Sequence, residues 1–240
     1  MGTSQSHILK SGPNWKDAKR SITDIAKGNG DSKANYKSFI SNFARAINNG
    51  RNSMSKSSSF GTAGARATRK FFSLLNNIQT SSLSDSLGFN DKQLESHQVS
   101  KEDFIDRILN YVAGDNDASM DDAAAFCAME KLLNQILADC TSKEEIEAKL
   151  NNASEDEKIS WIIDFESEYI LEYSGELFQS HIFDKCDNPE RVANEIRNWL
   201  KPELSEIIND LLKDHHLSSV EGQAILDKLT TDIIEIWKQE

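Results

Sequence analysis

Apolar residues recur at helical spacing along most of this chain, and no convincing alternating strand pattern appears. Tyr36, Phe39, Ile40, Phe43 and Ile47 mark one face of a helix expected over about 32–49, capped by Asp31 or Ser32 and ended by Gly50. A Ser/Asn-rich loop follows to Ser59. Phe71, Phe72, Leu74, Leu75 and Ile78 then mark a second helix that opens in the small-residue stretch Gly61–Lys70. A polar segment from Thr80 to Ser100 leaves room for a short helix near 84–95.

The second half repeats the same pattern with clearer punctuation. Ser100-Lys-Glu-Asp103, Ser142-Lys-Glu-Glu145 and Ser154-Glu-Asp-Glu157 each place a hydroxyl three residues ahead of an acid, the signature of a capped helix start. Another helix is expected from about Ser119 to Asp139. The helix opened by Ser154 carries Trp161, Ile162, Ile163, Phe165, Tyr169, Ile170, Tyr173, Leu177 and Phe178, apolar on several sides, and so reads as the central one. Asn188-Pro189 starts a further helix, which Pro202 is expected to kink or split. The last is expected unbroken from about Ser219 to Lys238. The fold class is therefore all-α, a bundle of eight or so helices.

Residues 1–30 show no strongly apolar periodic pattern. Gly12-Pro13-Asn14 and Gly28-Asn29-Gly30 punctuate them, so they read as a flexible N-terminal tail. Charge divides the remainder. Residues 1–80 hold 13 Lys/Arg against 3 Asp/Glu, whereas 81–240 hold 14 against 36, so a front of +10 precedes a body of −22. The expected organisation is a tail over 1–30, a basic helical segment over 31–80 and an acidic helical domain over 81–240. The basic front suits nucleic acid, an acidic partner, or the chain's own acidic half; the acidic body repels DNA.

Candidate chemistry is sparse. Gly61 and Gly64 near a helix start, with Arg66, Arg69 and Lys70, offer an anion-binding site on backbone amides, set against close helix packing at small residues. The Gly-Lys-Ser/Thr ending of a phosphate-binding loop is absent. His215 and His216 are adjacent, so they point to different helix faces and suit a solvated helix end better than a metal site. Of Glu166, Glu168, Glu172 and Glu176, the last three share a stripe that suits a charged solvent face or a surface for a basic partner better than a paired-carboxylate site. Cys127, Cys140 and Cys186 are odd in number and far apart, matching buried thiols in a reducing cytoplasm. No run of about 18 apolar residues offers a membrane span. The chain reads as something bound or acted upon, needing no metal and no cofactor.

Gly2 is the exception. A residue this small after Met1 usually lets the initiator be removed, leaving a free glycine amine. An α-amino group has a reference pKa of about 7.7–8.0 against about 10.4 for lysine, so far more of it is nucleophilic at neutral pH. Thr3, Ser4, Gln5 and Ser6 offer polar groups for recognition. Met1-Gly2-Thr3-Ser4-Gln5-Ser6 also fits the loose pattern for N-myristoylation at Gly2. A plain solvated leader is the third reading.

That opening, with Gly12-Pro13-Asn14-Trp15 and the basic, Gly/Ala-rich stretch from Phe60 to Arg69, resembles the QatB family of the bacterial Qat anti-phage system. The likeness covers the first fifteen or so residues closely; residues 16–30 lack the longer Pro-rich stretch common in the family, and the acidic C-terminal two-thirds matches only in being helical. The resemblance implies a non-catalytic cytoplasmic component whose N-terminal glycine, here Gly2, is the substrate of a QueC-like enzyme, QatC. Such an enzyme activates a 7-deazaguanine carboxylate with ATP, and the amine then displaces AMP to form an amide. The resemblance further implies an ATPase (QatA) and a TatD-like nuclease (QatD) as partners. A helical protein- or nucleic-acid-binding adaptor and an N-myristoylated membrane-associated protein are the alternatives.

Overall fold

The structure is a computed structural model that describes residues 12–28, 32–51, 60–78, 81–87, 100–113, 119–182 and 188–239. Every regular element among them is a helix. In chain order these are α1 (Pro13–Lys27), α2 (Ser32–Arg51), α3 (Thr62–Ile78), the single turn α4 (Leu83–Ser86), α5 (Lys101–Ala113), α6 (Met120–Ile136), α7 (Lys143–Asn151), α8 (Glu155–Ile182), α9 (Pro189–Leu211), α10 (Val220–Leu226) and α11 (Leu229–Gln239).

Two helices organise the packing. α8 lies against α1, α3, α6 and α9, and from Phe165 to Leu171 it is buried on every side. This is the helix whose sequence is apolar all round, as a central helix requires. α3 touches α4, α5, α6, α7, α8, α10 and α11, with its buried face built from Ala63, Gly64, Ala67, Phe71, Leu74, Leu75 and Ile78. Small residues in its first turns let neighbours approach, and large ones fill the space beyond. Aromatic rings join the layers: Phe60 stacks on Tyr169 at 5.0 Å between centroids and sits 4.3 Å from Tyr173, while Trp15 meets Phe43 edge-on at 6.4 Å.

Three expectations are corrected. The tail does not extend to residue 30, because Pro13–Lys27 is a helix docked on α2, α8 and α9. Trp15, Ala18, Ile22, Ile25 and Ala26 bury one face of it. Pro13 occupies the first helical position, where its missing N–H costs nothing. Gly28 closes the helix at φ 66° with its N–H on the Ile25 carbonyl. The glycines and the proline delimit a helix here; they do not prevent one.

The basic segment 31–80 and the acidic domain 81–240 are not separate units either. Both contribute to one hydrophobic core, α2 against α11 and α3 against α5 to α8. Charge complementarity within the chain accompanies that packing. Arg66 pairs with Asp122, Arg69 lies 3.7 Å from Asp227, and Tyr36 donates to Glu195 at 3.1 Å.

The last expected helix is two. Asp227 and Lys228 form a turn between α10 and α11, in which the Lys228 N–H reaches the Ile225 carbonyl three residues back. α9, by contrast, runs unsplit through Pro202, which is exposed, so the proline faces solvent instead of the packed side. The serine caps appear where their spacing places them. Around Ser142 the Glu145 N–H bonds the serine Oγ at 3.2 Å, and the Ser142 N–H returns to Glu145 at 3.3 Å. Ser142→Ala is expected to cost about 1 kcal/mol in urea unfolding, and Ser142→Gly only a few tenths.

Candidate functional site

Gly2, Thr3, Ser4, Gln5 and Ser6 lie outside the described residues. What the structure fixes is where the chain leaves them. Gly12 and the exposed Pro13 start α1, and Trp15, two residues on, is already buried. Residues 1–11 therefore join the body at a helix end anchored in the core. A fully extended chain of eleven residues spans at most about 40 Å.

The second candidate, Gly61–Lys70, is placed in full. Gly61 adopts φ 98°, a left-handed conformation that suits glycine, and turns the chain into α3. The first free amides of α3 face a carboxylate of the chain itself. Asp121, in the first turn of α6, accepts from the Gly61 N–H at 3.2 Å and the Ala63 N–H at 2.8 Å, and from the Tyr169 hydroxyl. Tyr169 in turn accepts from Gly61 N–H at 2.9 Å. An anion does sit on this helix start, as unpaired amides and the helix dipole favour, and Asp121 supplies it.

The neighbouring cations are engaged too. Arg66 pairs with Asp122, whose carboxyl also accepts from Ser119. Burial raises the Asp122 pKa, but the Ser119 and Arg66 contacts outweigh burial and hold it below the ordinary carboxylate value. Arg69 faces Asp227, both half-exposed. Lys70, on the same helix, is partly exposed. Arg66 and Arg69 thus turn to different carboxylates of the chain.

Beside Asp121 lies a second buried carboxyl that the sequence pattern did not set apart. Glu166 on α8 is fully buried, and the Thr230 hydroxyl of α11 lies 3.0 and 3.1 Å from its two oxygens. Burial, with the Asp121 charge nearby, pushes its pKa up to about 8. Burial likewise raises Asp121 against the pull of its hydrogen bonds to Tyr169, Ala63 and Gly61. Tyr169 is driven well above its ordinary value by burial and the Asp121 charge. The signal for Glu166 was its register, since it shares the face of Tyr169, Ile170 and Tyr173 at three, four and seven residues.

The carboxylate stripe resolves into ion pairs. Glu168 takes Arg197 in two-pronged fashion and lies 3.4 Å from Lys131, which also pairs with Glu172. Burial alone would raise the Glu168 pKa; Arg197 and Lys131 outweigh it and lower it. Glu176 contributes no described side chain. His215 and His216 are exposed beyond the end of α9, with His216 Nδ1 3.3 Å from Glu155. Cys140 is buried, Cys127 is partly exposed and Cys186 is outside the described residues. Among the described residues no three His, Cys, Asp or Glu side chains converge as a metal site, and no helix is long and apolar enough to cross a membrane.

Comparison with protein-family models, with curated proteins and with solved structures finds no match to this chain.

Proposed function

We propose that this chain is a non-catalytic protein substrate whose Gly2 amine receives a 7-deazaguanine-type acyl group from a QueC-like enzyme. The supporting observation is the opening hexapeptide in the sequence, a small residue after Met1 followed by polar ones. Met1-Gly2-Thr3-Ser4-Gln5-Ser6 stands ahead of a helix whose first turn is anchored through Trp15. The body then serves as a rigid handle, and at neutral pH far more of the α-amine than of any lysine amine is unprotonated. In the reaction the deazaguanine carboxylate attacks ATP and releases pyrophosphate. The Gly2 amine then attacks the acyl-adenylate, AMP leaves, a proton is lost and an amide bond forms.

An anion-binding role for Arg66, Arg69 and Lys70 has less room. The α3 amides already hold Asp121, and Arg66 and Arg69 face Asp122 and Asp227. An ATPase and a TatD-like nuclease are further partners on this proposal, with the cytoplasm as the compartment.

Reconstitution tests it. The purified chain is mixed with ATP, a 7-carboxy-7-deazaguanine and the QueC-like enzyme encoded beside it, in ammonium-free buffer. AMP is expected to be released in proportion to the chain, up to one equivalent. Chain with its α-amine acetylated beforehand is expected to release none. AMP release that ignores acetylation would refute the assignment.

A further inference from the structure

α1 presents an exposed cationic row opposite its buried face. Lys16, Arg20 and Lys27 are spaced four and seven residues apart, which brings them within about 40° of one another around the helix. Trp15, Ala18, Ile22 and Ile25 occupy the other side in the core, so the helix cannot roll and the row points outward. It spans about 16 Å at 1.5 Å per residue.

Elsewhere several exposed and half-exposed cations take carboxylates. Lys131, Lys149, Arg191, Arg197 and Lys201 all do so within 4 Å. Lys16, Arg20 and Lys27 carry no ion pair with a described residue, although Asp17 and Asp24 sit on the same helix. A positive row thus stands clear on a chain of net charge −12. It also begins at the point where the Gly2 segment joins the body. Any enzyme holding Gly2 lies within about 35 Å of Gly12, the reach of ten extended residues.

We infer that this row is a docking surface for an acidic patch on the enzyme that modifies Gly2, an inference that rests on the proposed substrate role. Charge complementarity commits the occupant to an acidic protein surface. Three cations against a body of net negative charge suit that better than the long phosphate track of a nucleic acid. Charges of this kind steer encounter and add salt-sensitive affinity, and they leave the chemical step alone.

The test is steady-state modification and direct binding of the full chain by that enzyme. Lys16→Glu/Arg20→Glu/Lys27→Glu and the milder Lys16→Gln/Arg20→Gln/Lys27→Gln are compared with the unsubstituted chain. The charge-reversed variant is expected to raise KM about tenfold or more with kcat unchanged, and the glutamine variant to raise it less. The KM of the unsubstituted chain is expected to climb with salt, and that of the charge-reversed variant to stay flat or fall. All three chains are expected to melt alike, since the positions are exposed. Adduct formed by the charge-reversed chain at undiminished kcat/KM would overturn the docking surface alone. Absence of both binding and adduct with the unsubstituted chain would overturn the substrate role and the docking surface with it. Retention of the unsubstituted chain on phosphatidylserine vesicles or duplex DNA, lost in both variants while KM is unmoved, would reassign the row and overturn the proposal.

Discussion

Gly64→Ala is expected to lower stability by about 3 kcal/mol or more, a drop in Tm of roughly 6–12 °C for a chain of this size. A Cβ at Gly64 falls 2.3 Å from Cε1 of Tyr169 and 2.8 Å from Cδ1. The ring cannot step aside. Tyr169 is fully buried, lies between Phe60 and Phe165, and holds Asp121 and the Gly61 amide through its hydroxyl. Relief of the clash therefore breaks either the stack or the hydrogen bonds at the start of α3. Gly175→Ala provides the contrast, because nothing lies within 4 Å of a Cβ there. Within helix α8 that change is expected to stabilise by about 0.5–1 kcal/mol. Thermal melts of the two variants check the pair; equal and small effects would contradict the packing of α3 on α8.

Glu166→Gln is expected to stabilise the protein strongly at alkaline pH and hardly at all near pH 5. The native carboxyl titrates near 8, against 4.5 for the unfolded chain. Below 4.5 both states hold the proton. Between 4.5 and 8 only the native state does, so stability falls as pH rises through that window. Above 8 the native protein carries a buried charge close to Asp121 and the loss is complete. At about 1.36 kcal/mol per pH unit the gap is on the order of 5 kcal/mol, an upper figure once local relaxation is allowed. Glutamine keeps the shape and an acceptor for Thr230, and it does not titrate. Urea unfolding at pH 5, 7 and 9 is expected to show a variant advantage that grows to a few kcal/mol by pH 9. Groups not coupled to Glu166 cancel in the difference, the Arg197-paired Glu168 among them. A difference that stays constant with pH would mean that Glu166 is ionised in the native state throughout.

These two positions also mark how far the sequence can be read. The helical class and the central place of α8 follow from periodicity alone, because a helix apolar on all sides has nowhere to sit but inside. The α1 pattern of Trp15, Ala18, Ile22 and Ile25 was present but thin, resting on four residues between two sets of breakers. Local order cannot tell a glycine that ends a helix from one that prevents it until the partner surface is known. Glu166 differs from Glu168 and Glu172 only in register, and one turn of α8 gives the first the Thr230 hydroxyl while leaving the others to Arg197 and Lys131. Asp121 was less legible still. It reads as an ordinary first-turn acid, and its partners, the Gly61 and Ala63 amides, lie about sixty residues earlier in the chain. The charge split between front and body looked like two domains, whereas the opposite charges meet across one core.

Gly2 itself is reached most directly by fragment mass spectrometry of the N-terminal peptide, taken from chain co-expressed with the QueC-like enzyme. The account predicts loss of Met1 and a mass increase of one deazaguanine acyl group localised to the Gly2 amine. It predicts no such gain in a Gly2→Leu chain with an unchanged helical spectrum. An unmodified Gly2 under those conditions, or the same mass found on an internal lysine, would contradict it.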